Sequence, residues 1–62
     1  MKNNGMYKIR IAAAKQAIEA FKTVKTARAF EAAVVAISRM GMPRPVAVKY
    51  LFEKVAYART FA

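Results

Sequence analysis

An all-α fold of three short helices around a small core is what the chain predicts, on three observations. Apolar residues recur at alternating steps of three and four, the helical period, and no stretch alternates in the manner of a strand. Alanine, the strongest helix former, supplies much of the 58% hydrophobic content. Gly41, Pro43 and Pro45 fall between periodic runs, where chain breaks belong. The 62 residues read as a single small domain without internal repeats or linkers. At this size folding hides only about 60% of the surface that the unfolded chain exposes, so stability leans on good local helices, self-association or a bound partner.

The first helix is expected over about 6–22, after a polar and disordered start at 1–5. Tyr7, Ile11, Ala14, Ile18 and Phe21 form one apolar stripe. Lys8, Lys15 and Lys22 lie seven apart and form a second stripe beside it, with Glu19 in reach of Lys15 or Lys22. Thr23-Val24-Lys25-Thr26 is a β-branched, polar break whose threonines can cap the next helix.

The second helix spans about 27–40, with Phe30, Ala33, Val34, Ile37 and Met40 inward and Arg28 and Arg39 on the opposite side. Gly41 supplies a left-handed stop, and Arg39 suits the negative end of the helix dipole. Prolines 43 and 45 cannot prolong that helix but suit the first turn of another, expected over 45–60. Val48, Leu51, Phe52 and Val55 make its inner face. At about 100° per residue, Val46, Tyr50, Tyr57 and Phe61 fall nearly opposite. The predicted core is Ile11, Ile18, Phe21, Phe30, Val34, Ile37, Val48, Leu51, Phe52 and Val55.

Charge narrows the function. Twelve Lys or Arg stand against three Glu, and His and Cys are absent, for a net charge of +9. The only serine, Ser38, has no histidine to activate it, and Glu19, Glu31 and Glu53 each have a base at helix-neighbour spacing, as solvated surface pairs do. No catalytic residue, metal site or cofactor is expected, and the chain reads as a non-enzymatic binder. The polar start and the recurring bases lack the pattern of a signal peptide or a spanning helix, so a cytoplasmic, soluble protein is expected.

The segment Gly41-Met42-Pro43-Arg44-Pro45-Val46-Ala47-Val48-Lys49-Tyr50-Leu51 resembles the turn and the start of the recognition helix in helix-turn-helix DNA-binding domains, and the resemblance extends over 32–51. It implies that Arg44, Val46, Lys49 and Lys54 face the major groove while Arg28 and Arg39 touch phosphates. The aromatic stripe Tyr50, Tyr57 and Phe61 has three readings: stacking on unpaired bases, packing against a partner or a second copy, or covering the first helix. Nucleic acid, DNA over RNA, is thus the first expected partner. The alternative is an acidic surface on a host protein, met by a small phage-like or mobile-element-like adaptor or inhibitor. A membrane-active cationic peptide comes third, with membrane binding disfavoured by the absence of Trp and by clear caps and stops.

Overall fold

A computed structural model of the chain describes the backbone of residues 4–61 and the side chains of residues 8–61. It is all-helical in that span: α1 (Asn4–Val24), α2 (Ala27–Ser38), α3 (Arg44–Lys54) and a closing 3-10 segment (Ala56–Phe61). The expected tail at 1–5 is partly corrected, because Asn4 and Gly5 belong to α1; residues 1–3 lie outside the described span. The first N–H groups of a helix need no partner within it, so a polar start can join at no hydrogen-bond cost. The placement of the Tyr7 side chain on the α1 stripe also lies outside the described residues.

Local chemistry sets the breaks. Lys25 adopts a left-handed conformation, φ 55°, and its N–H donates to the Phe21 carbonyl at 2.8 Å, a left-handed cap that closes α1. Thr26 then caps α2, its Oγ1 accepting from the Ala29 N–H at 3.1 Å. α2 ends two residues sooner than its pattern suggests. Met40 and Gly41 donate to the carbonyls of Ile37 and Ser38 in a tighter turn, and Gly41 takes φ 97°, the left-handed stop expected of it. Pro43 precedes α3 and Pro45 lies in its first turn.

The expectation of one continuous third helix over 45–60 is corrected. Val55 is extended, φ −133° and ψ 108°, a conformation that its β-branched side chain favours, and the chain resumes as a 3-10 helix. In a 3-10 helix residues three apart eclipse, so Ala58 and Phe61 share a side. That side faces the core: Ala58 is fully buried, and the Phe61 ring meets Phe21 edge-on at 5.7 Å and stacks on Phe30 at 6.0 Å. The 100° count failed beyond Val55 because the helix it assumed stops there.

The core is finer-grained than the pattern suggests. Phe21, Phe30, Val34, Ile37, Leu51 and Val55 are buried as expected, whereas Ile11, Ile18, Val48 and Phe52 are only partly covered. Alanines take the vacated places, with Ala14, Ala33, Ala47 and Ala58 at 5% exposure or less. Their small side chains let backbones approach closely, so each helix axis can sit nearer its neighbour than a Leu or Ile would allow. α1 packs on α2 and α2 on α3, while the 3-10 segment folds back on α2 and α3. Among the described residues α1 and α3 share no more than a marginal contact, and a groove opens between them over α2.

Candidate functional site

Solvated cations dominate the surface. No polar or charged residue is buried among those described, and every described Lys and Arg is exposed. Two ion pairs form within that span. Lys22 Nζ lies 3.6 Å from Glu19, an exposed pair one turn apart. Arg44 donates to both carboxylate oxygens of Glu31, at 3.2 and 2.6 Å. That bidentate bond holds the Glu31 carboxyl below its ordinary range and raises Arg44 further. Lys8, Arg10, Lys15, Lys25, Arg28, Arg39, Lys49, Lys54 and Arg59 have no carboxylate within ion-pair distance among the described residues.

The residues expected to meet DNA lie on α2, its C-cap and α3. Arg28 is exposed in the first turn of α2, and Arg39 caps its far end. Arg39 joins Arg10 around a groove of about 340 Å³ also lined by Ile9, Ala13 and Ala36. Val46 and Lys49 are exposed on α3, with Val46 at 49%. Lys54 lines a groove between α1 and α3 together with Lys15 and Lys22. Arg44 is engaged by Glu31, so it presents a paired rather than a free guanidinium.

The three outer aromatics also divide. Tyr57 is half exposed, stacks on Phe61 at 6.1 Å and carries Lys25 Nζ 5.2 Å from its ring centre. Tyr50 is half-buried and has Lys54 Nζ at 5.4 Å. Phe61, expected on an outer stripe, packs into the aromatic cluster with Phe21 and Phe30 instead, because the 3-10 turn rolls it inward. Of the readings for this trio, covering the first helix applies to Phe61, which meets Phe21 of α1, and Tyr57 is the most exposed ring of the three.

One concavity has no counterpart in the sequence pattern. A cleft of about 160 Å³ is walled by Ile11, Ala14 and Ile18 of α1, Ile37 of α2, Met40 and Met42 of the turn, and Tyr50 of α3, with Lys15 at its rim. It adjoins a groove of about 320 Å³ through the shared residues Lys15, Ile18 and Tyr50, and that groove adds Glu19, Lys22 and Lys54. The sevenfold spacing of Lys15 and Lys22 was visible in the sequence. Their meeting with Lys54 needed the register of α3 against α1, which no local pattern carries.

No group of three or more His, Cys, Asp or Glu that could hold a metal ion occurs among the described residues, and no described helix is long and apolar enough to cross a membrane. Comparison with protein-family models, with curated proteins and with solved structures finds no match for this chain.

Proposed function

We propose that this chain is a non-catalytic binding protein for a polyanion, with nucleic acid, DNA before RNA, as its first target. The observation that carries the reading is the set of nine described cations left without carboxylate partners on a helical framework. Such an excess destabilises a folded chain through self-repulsion and is offset when phosphates neutralise it. Docking in the helix-turn-helix manner would lay the exposed face of α3 in the major groove. Exposed Val46 and Lys49 support that pose, and the engagement of Arg44 by Glu31 leaves Lys49 as its main polar contact. Arg28 and Arg39 then reach phosphates on either side.

Fluorescence anisotropy with a labelled duplex tests this. Reversing one phosphate-contacting cation, as in Arg28→Glu or Arg39→Glu, should weaken binding across all sequences and reduce the salt slope by about 1. Variants that bind duplex as the parent does would refute the reading.

A second reading, a small adaptor that docks on an acidic protein surface, is favoured by one observation: the apolar cleft beside Lys15, Lys22 and Lys54.

A further inference from the structure

We infer that the groove between α1 and α3 is a docking site for an acidic amphipathic helix of a partner protein, which inserts one apolar side chain between Met40 and Tyr50 and sets its carboxylates on Lys15, Lys22 and Lys54. This develops the adaptor reading and does not require nucleic acid to be the target.

Size selects the occupant of the cleft. At about 160 Å³ it is smaller than the roughly 300–1,000 Å³ of a small-molecule site and close to the 150 Å³ or so that accepts a benzene-sized group. One Phe or Leu side chain fits that volume. The two methionines at the turn suit an anchor of variable shape, since the thioether chain is flexible and polarisable.

Charge selects what surrounds the anchor. Lys15 and Lys22 are two helical turns apart on α1, about 10 Å along the axis, and Lys54 faces them from α3. The single carboxylate there, Glu19, is paired with Lys22. Acidic side chains one or two turns from an anchor would fall beside these ammonium groups, the spacing with which a helix lies in a groove. Lys54 is held at the mouth by the Tyr50 ring, so part of the ordering cost is met before binding.

The test uses the full chain with its methionine methyls ¹³C-labelled, titrated with a panel of synthetic acidic amphipathic helices carrying a single Phe or Leu anchor. Met40 and Met42 signals should move and saturate, and an Ala in place of the anchor should weaken binding at least about tenfold. Lys15→Glu and Lys54→Glu, both at exposed positions, should do the same while leaving the unbound spectrum folded. Unmoved methyl signals with every peptide, or equal binding of a panel with Lys in place of Glu, would overturn the proposal. So would a short DNA duplex or dodecanoate moving those two methyls when the peptides do not. Loss of duplex affinity in Lys49→Glu with peptide binding intact would uphold it and keep the two surfaces distinct.

Discussion

Arg44 grips Glu31 with two hydrogen bonds, tying the first turn of α3 to the first half of α2 across thirteen residues of chain. All three glutamates invite assignment to local pairs within a helix, and this one reaches between helices instead. The planar guanidinium matches a carboxylate in a way lysine cannot, so the bond fixes orientation as well as proximity. Arg44 thereby serves the α2–α3 corner before it can serve any ligand.

Acid should expose that bond. Glu31 titrates below its ordinary range when folded, so its contribution is complete above the ordinary glutamate value and drains as pH falls through the lowered one. Melting of the parent and of Glu31→Gln should therefore differ by no more than a few degrees at neutral pH, the parent being higher, and converge in acid. A gap that persists below pH 2 would contradict the assignment.

Phe61 should matter for folding more than for binding. Its ring touches both Phe21 and Phe30, so Phe61→Ala should cost about 2–3 kcal/mol, a little under the value for a fully buried ring. Tyr57→Ala, at a half-exposed ring, should cost under about 1 kcal/mol. Urea denaturation of the two variants measures both, and equal costs would contradict the 3-10 turn that separates them.

The α1–α2 junction offers two changes of opposite sign. Thr26→Ala removes the acceptor for the Ala29 N–H and should destabilise by about 1 kcal/mol. Lys25→Gly relieves a left-handed conformation in a residue that has a Cβ and should stabilise by about 0.5 kcal/mol, after the lost contact with Tyr57. Thermal melts of both variants, compared with the parent, check the signs.

Three helices and most of the core were legible because they rest on local rules: the three-four period, the threonine cap and the glycine stop all act within a few residues. Val55 marks where that reach ends. Its neighbours continue a helical pattern, and the extended backbone there is favoured by what it delivers, Ala58 into the core and Phe61 onto a distant Phe21. Ala14, Ala33 and Ala47 were undervalued for a related reason. A small side chain adds little area, yet it decides how closely two helices approach, which only the assembled fold displays. The lysine-rimmed groove belongs to the same class, since Lys54 meets Lys15 through tertiary register alone.

Reversing the basic groove should not disturb the fold. Lys15, Lys22 and Lys54 are exposed, and removing positive charge from a chain at +9 relieves repulsion, so Lys15→Glu with Lys54→Glu should melt at or slightly above the parent temperature in low salt. A drop of more than about 5 °C would mean that these lysines stabilise the helices themselves.

Binding of a labelled DNA duplex across a series of salt concentrations tests the central claim most directly. Cations without partners that meet phosphate predict a log-log slope of about 3 or steeper, since each phosphate neutralised contributes about 0.9. Affinity indifferent to salt, or no binding to duplex at low ionic strength, would contradict it.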